Sequence, residues 1–251
     1  LRGLGKRVLL LGGTNEGYIL AKQLTDISVN IITSLAGRTK NPRLPTGSVR
    51  IGGFGGVEGL ANYLREKNIR LVIDVTHPFA NRITENAIIA CNKIKVPLIQ
   101  LERLPWQQMI GDRWIETATL EKAAEIIPQN ARVFLAIGRQ HLATFSYRYD
   151  ISFVARLLEL PEKMPLFKKL KIIQGKPSNK EDESRFLIKN KIDCIVCRNS
   201  GGQASYGKII AAREIGLDIF MVSRKLPNKT AIATSIEEVV KHLCKIGLIK
   251  E

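Results

Sequence analysis

The chain has 251 residues, 45% of them hydrophobic and 25% charged, a composition that suits a globular protein with one large or two medium cores. No apolar run approaches the ~18–20 residues of a membrane-spanning helix. The 39 Lys and Arg against 23 Asp and Glu leave a net charge of +16, which asks for an anionic partner, but the few aromatics are not interleaved with the basic residues as a base-stacking groove requires.

Taken in order, the chain alternates strand and helix. Residues 7–17 read RVLLLGGTNEG. Val8 to Leu11 form a continuous apolar run, the mark of a central parallel strand covered on both faces. Gly12 and Gly13 make a sharp turn, and a helix follows over 18–24. A strand spans 29–34, then comes the loop LAGRTKNPRLPTG, a short strand at 49–51 and the glycine cluster Gly52–Gly56. A helix over 57–67 precedes the strand 71–75, which ends in Thr76-His77-Pro78. A helix over 80–94 and a strand over 97–101 complete the first half. This is βαβ repeated, which implies a parallel sheet.

The stretch from Leu104 to Trp114 reads as irregular. A helix follows over 118–127, then strands over 132–137, near 150–157, 171–174, 192–197 and 218–222. Helices fit 180–190, 203–215 and 235–246. The second half therefore reads as another, smaller α/β unit. The expected architecture is α/β, with two Rossmann-like domains of mainly parallel sheet and a ligand cleft between them. The boundary is placed near Pro128, giving domains of 1–128 and 129–251.

Cys194 and Cys197 form a C-x-x-C within a predicted strand. Residues three apart on a strand point to opposite faces, which is poor geometry for a shared metal or a disulfide. No second pair completes a zinc site, so no metal is expected. The thiols are read as buried and reduced. The opening LRGLGKR lacks the long apolar region of a secretory leader, and a cytoplasmic location is expected.

In open parallel sheets, ligands bind beyond the carboxyl ends of the strands. Those ends carry GGTNEG, TSLAGRT, GGFGG and DVTHPFA in the first half, and IGRQ and RNSGGQASYGK in the second. The glycine spacing G-G-x-x-x-G departs from the G-x-G-x-x-G fingerprint and is weak alone. Its company is what argues for an extended ligand lying across one sheet edge. Where an NAD site often places an acid after the second strand, this chain has Ser34 and then Arg38. A hydroxyl and an arginine suit a 2′-phosphate, so NADPH is favoured over NADH.

The series LGGTNEG, SLAGRT, RIGGFGG, DVTHPFA, LERLPW, FLAIGRQ and NSGGQASYGK, in that order from residue 7 to about 224, resembles the precorrin-6A and cobalt-precorrin-6A reductase family of cobalamin (vitamin B12) biosynthesis. The resemblance implies a two-domain α/β oxidoreductase. Its activity would be hydride transfer from a reduced nicotinamide to one double bond of precorrin-6A, giving precorrin-6B. The polycarboxylate macrocycle then supplies a second reason for the positive charge.

On that reading, the turn of Gly12, Gly13 and Thr14 meets the cofactor pyrophosphate through backbone N–H groups, and Gly17 lets helix and strand pack closely. Glu16 either caps backbone N–H groups or faces a ribose. Ser34 and Arg38 are candidates for the 2′-phosphate, and Gly53 passes close to adenine or substrate. His77 either donates a proton beside the hydride acceptor or caps the helix near Ala80. Thr76 anchors nicotinamide or substrate. Arg139, Arg198, Asn199, Ser200 and Lys208 are candidates for substrate carboxylates. Two competing readings stand beside this one: a cobalt-precorrin-6A reductase using NADH, and a basic nucleic-acid-binding protein.

Overall fold

The computed structural model describes residues 7–37, 42–224 and 232–249. They form two compact units, one holding residues up to Leu104 together with those from Leu226 onward, the other Pro105–Lys225.

The first unit runs β1 (Arg7–Leu11), α1 (Asn15–Asp26), β2 (Ile31–Leu35), β3 (Ser48–Ile51), α2 (Gly56–Glu66), β4 (Ile69–Asp74), α3 (Asn81–Ile94) and β5 (Leu98–Leu101). The second runs β6 (Arg113–Thr117), α4 (Leu120–Ile126), β7 (Arg132–Ala136), β8 (Ser152–Leu157), β9 (Leu170–Gln174), α5 (Lys180–Lys189), β10 (Cys194–Arg198), α6 (Gly207–Ile215) and β11 (Asp218–Val222). The chain then returns to the first unit with β12 (Ile232–Ala233) and α7 (Ile236–Lys245).

The first sheet has the order β3-β2-β1-β4-β5-β12 and the second β9-β8-β7-β10-β11-β6, and every pairing in both is parallel. Leaving aside the last strand, each is the 3-2-1-4-5 order of the doubly wound dinucleotide fold, which bears out the α/β expectation. The order reverses between β1 and β4 in one sheet and between β7 and β10 in the other.

The apolar run of β1 shows why this strand is central. Val8 and Leu10 point to one face, where they pack with Leu20 and Leu24 of α1 and Val239 and Leu243 of α7. Leu9 and Leu11 point to the other, against Leu60 and Leu64 of α2 and Ala87 and Cys91 of α3. With a side-chain period of two and helices on both sides, each residue of the strand must be apolar. In the second unit Phe134, Ile195, Cys197, Ile219 and Met221 form one sheet face under Leu187 of α5 and Ile209 of α6. Cys194 and Cys197 are both buried and free, as expected; burial pushes the Cys194 thiol up to about 12.

Three sequence expectations change. The units do not divide at Pro128: β6 and α4 belong with the second sheet, and β12 and α7 with the first. The second unit is not smaller in its sheet, since among the described residues each has six strands. The irregular stretch before Trp114 leads into β6, whose residues are mostly exposed because it is an edge strand paired only with β11.

The two helices on the Phe134 face of the second sheet meet closely at their first turns. A Cβ on Gly207 would lie 2.4 Å from the Ser178 carbonyl oxygen and 3.2 Å from that of Asn179. Backbone must shift to admit it, so Gly207→Ala is expected to cost about 1–3 kcal/mol in a urea-denaturation measurement.

Candidate functional site

The turn after β1 is built by a threonine. Thr14 is the N-cap of α1; its hydroxyl oxygen accepts from the Gly17 N–H at 3.2 Å and its proton goes to the Val75 carbonyl at 2.6 Å. The hydroxyl thereby ties the start of α1 to the segment leaving β4. Backbone bonds continue the ladder past the strand ends: Gly12 N–H to Ser34 O at 3.0 Å, Val75 N–H to Leu11 O at 2.9 Å, and Gly52 N–H to Leu35 O at 2.9 Å. Gly17 sits where a Cβ would approach Val75 Cγ2 to 3.1 Å, so helix and sheet pack closely there. Gly13 has φ +107, a conformation that favours glycine.

Beyond these ends lies a cavity of about 720 Å³, within the range typical of small-molecule sites. Gly12 and Gly13 line it after β1, Ser34 at the end of β2 and Gly37 beyond it, Gly52–Gly56 after β3, and Thr76 and His77 after β4. A Cβ on Gly13, Gly52, Gly53, Gly55 or Gly56 would meet no atom of the described residues within 4 Å. Side chains there would project into open space. The first turn of α1 adds a positive dipole end beside Gly13. A glycine-walled cavity at the reversal of a parallel sheet fits a nicotinamide dinucleotide.

Asp74 organises the β4 end. It is 4% exposed, and its Oδ1 accepts from the backbone N–H of Thr76 at 2.9 Å and from the Thr76 hydroxyl at 2.7 Å. Its Oδ2 accepts from the Thr84 hydroxyl at 2.6 Å, which links the loop to α3. Thr76 is thus fixed by Asp74 while lining the cavity. His77 also lines it, and its Nδ1 accepts from the Phe79 N–H at 3.3 Å. An accepting Nδ1 puts the proton of the neutral ring on Nε2.

Several candidate residues serve the local structure. Thr14 rather than Glu16 caps α1; Glu16 Oε1 instead lies 3.6 Å from Arg103 Nε, while its buried Oε2 has no hydrogen-bond partner among the described residues. The Ser34 hydroxyl accepts from Arg50 at 3.3 Å, and the Gly53 carbonyl accepts from the same guanidinium at 2.6 Å. Arg38 lies outside the described residues.

In the second unit, Arg139 follows β7, and Arg198, Asn199 and Ser200 close β10; the two strands are neighbours, so these residues share one sheet edge. Arg139 donates to the Leu160 carbonyl at 2.7 Å and pairs with Glu159 at 3.4 Å. Arg198 Nη1 lies 3.2 Å from His141 Nε2, which brings a histidine to this edge as well. The Asn199 amide is taken up by the backbone of Trp106, accepting from its N–H at 2.7 Å and donating to its carbonyl at 2.9 Å. Ser200 is buried. Lys208 is 5% exposed, with its Nζ 2.6 Å from the Ser205 carbonyl and 4.8 Å from the ring centre of Trp106, the residue whose backbone holds Asn199. Burial lowers its pKa. Among the described residues no cluster of His, Cys, Asp and Glu could hold a metal ion, and no helix is long and apolar enough to cross a membrane.

The pattern describing the Precorrin-6x reductase CbiJ/CobK family matches residues 7–244. The chain belongs to that family. It is 40% identical over 240 residues to a Precorrin-6A reductase of Sinorhizobium sp., covering 94% of this chain and 92% of that relative. A Precorrin-6A reductase of Mycobacterium tuberculosis is 43% identical over 88% of this chain and 89% of its own length. A Cobalt-precorrin-6A reductase of Priestia megaterium is 28% identical over 94% and 97%. Among solved structures, CobK precorrin-6A reductase superposes with a TM-score of 0.92 at 38% identity, covering 96% of this chain and 97% of that one.

Within this CbiJ/CobK member the Asp74 network was missed by sequence reasoning, although an acid at a strand end with a threonine two residues on is a recognisable turn pattern. Thr84→Val keeps the side-chain shape but removes one partner of a buried carboxylate. It is expected to cost about 1–3 kcal/mol in chemical denaturation, with nucleotide binding weakened in a titration.

Proposed function

We infer that this chain is a precorrin-6A reductase of cobalamin biosynthesis, reducing one double bond of the macrocycle to give precorrin-6B. The observation that carries this is near-full-length identity of about 40% to precorrin-6A reductases, on a chain whose first sheet keeps an open, glycine-walled cavity at its strand reversal. A reduced nicotinamide supplies a hydride when bound. The remaining roles fall to the protein. The Gly12–Gly13 turn and the first N–H groups of α1 hold the pyrophosphate. Asp74 fixes Thr76 and the loop carrying His77, whose imidazolium form is the proposed donor of a proton to the carbon beside the reduced one, leaving the neutral ring.

NADPH is the proposed donor: no acid occurs from Ile31 to Gly37, where an NAD site often has one, and Ser34 and Arg38 suit a 2′-phosphate. Arg139 and Arg198, at the carboxyl edge of the second sheet, are the proposed partners of substrate carboxylates. The higher identity to precorrin-6A than to cobalt-precorrin-6A reductases supports a metal-free ring. A polycarboxylate ring also gives one reason for the excess of positive charge, +16 in all.

Purified protein given precorrin-6A is expected to consume NADPH and form precorrin-6B; failure with both nicotinamides would overturn this reading. His77→Asn keeps an acceptor for the Phe79 N–H but has no proton to give. A kcat lowered by about 10²–10⁴, with little change in KM for NADPH, is expected if His77 is the general acid. An unchanged kcat means that water supplies the proton.

A further inference from the structure

We propose that Arg50 reads the adenosine 2′-phosphate of the cofactor, a specificity role that rests on the NADPH reading above. Arg50 lies on β3 opposite Ser34 of β2 in the sheet register. Its Nη1 donates to the Ser34 hydroxyl and the Gly52 carbonyl, and its Nη2 to the Gly53 carbonyl. All three acceptors belong to cavity-lining residues. The guanidinium carbon lies 3.8 Å from the ring centre of Phe54, which also lines the cavity, and 5.2 Å from that of Tyr63.

This arrangement fixes the plane of the guanidinium while leaving its charge unmatched. Three of the five N–H groups are used, all on neutral acceptors. Among the described residues no carboxylate pairs with Arg50. A half-buried cation held by carbonyls and an aromatic face, at the strand end where the ribose of a bound dinucleotide belongs, is suited to a dianion. The guanidinium touches Ser34, Gly52, Gly53 and Phe54, all of which line the cavity, so its charge acts at short range on a ligand held there.

The test separates ligand charge from loop shape. Adenosine 2′,5′-bisphosphate and 5′-AMP are titrated against wild type, Arg50→Ala and Arg50→Gln by calorimetry, with thermal melts to verify folding. Arg50→Gln retains an amide donor for the turn without the charge. Wild type is expected to prefer the bisphosphate, and both variants to lose roughly tenfold or more of its affinity, with 5′-AMP changed by less than about threefold. If both ligands weaken equally, or the preference survives in Arg50→Gln, Arg50 only shapes the turn and the proposal fails. If wild type shows no preference, the NADPH reading itself falls; intact reduction of precorrin-6A with NADH would then leave the reductase assignment standing.

Discussion

The Thr14 hydroxyl is the interaction on which the first unit's site depends. One oxygen satisfies the start of α1 and its proton is held by the carbonyl that follows β4. These are the two chain segments that diverge at the reversal of strand order, so a single side chain sets how far the crevice opens. A valine of the same shape would leave the Val75 carbonyl and the Gly17 N–H without their side-chain partner in a site that is 8% exposed at Thr14. Gly17 complements this from the other direction, since it has no Cβ to hold the helix off Val75. Close packing beneath the turn and open space above it therefore come from neighbouring positions.

The second unit rests on a different kind of constraint. Glu183 is fully buried, and both of its oxygens accept from Arg156, whose guanidinium lies over the paired rings of Phe134 and Phe186. The Ser178 N–H adds a further bond to Glu183. Removing one partner of such a pair leaves an isolated buried charge, a loss of about 3–5 kcal/mol in comparable cases. Lys208 lies close enough to this pair for its ammonium to feel both charges, with burial as the dominant influence. The positive charge of the chain is thus not all surface: part of it is structural and fixed within the second core.

Much of this was legible in the sequence because burial dictates composition. A strand covered on both faces must be apolar throughout, so β1 and β4 announced themselves, as did the glycine turns that follow parallel strands. Elements without that pressure were hidden. β6 is an edge strand with Ile115 at 36% exposure, and β12 has two residues, too few to carry a periodic pattern. The start of α1 was placed too late because Asn15 and Glu16 look like loop residues until Thr14 is seen to cap them. Site chemistry was harder still. Asn199 invites a ligand role by its company of glycines, yet its amide is spent on the Trp106 backbone, 93 residues earlier in the chain. Arg50 drew no attention because its meaning depends on which neighbours share its register, and sequence spacing does not give that. The division between units was misjudged for the same reason: a βαβ pattern shows that strands are parallel, not which sheet each one joins.

The discontinuity of the first unit bears on the order in which the protein can be made. Leu20 and Leu24 on α1, together with Val8 and Leu10, share their cluster with Val239 and Leu243 of α7. At synthesis rates of ~5–20 residues per second, on the order of ten seconds separate β5 from α7. During that interval the nascent first sheet has its α2–α3 face covered and its other face incompletely closed. The second unit, continuous in sequence, can fold before the first has its full complement of parts. The usual N-terminal-first order is thereby reversed in its final step, and a ribosome stalled between the two units would display apolar surface that a chaperone must shield.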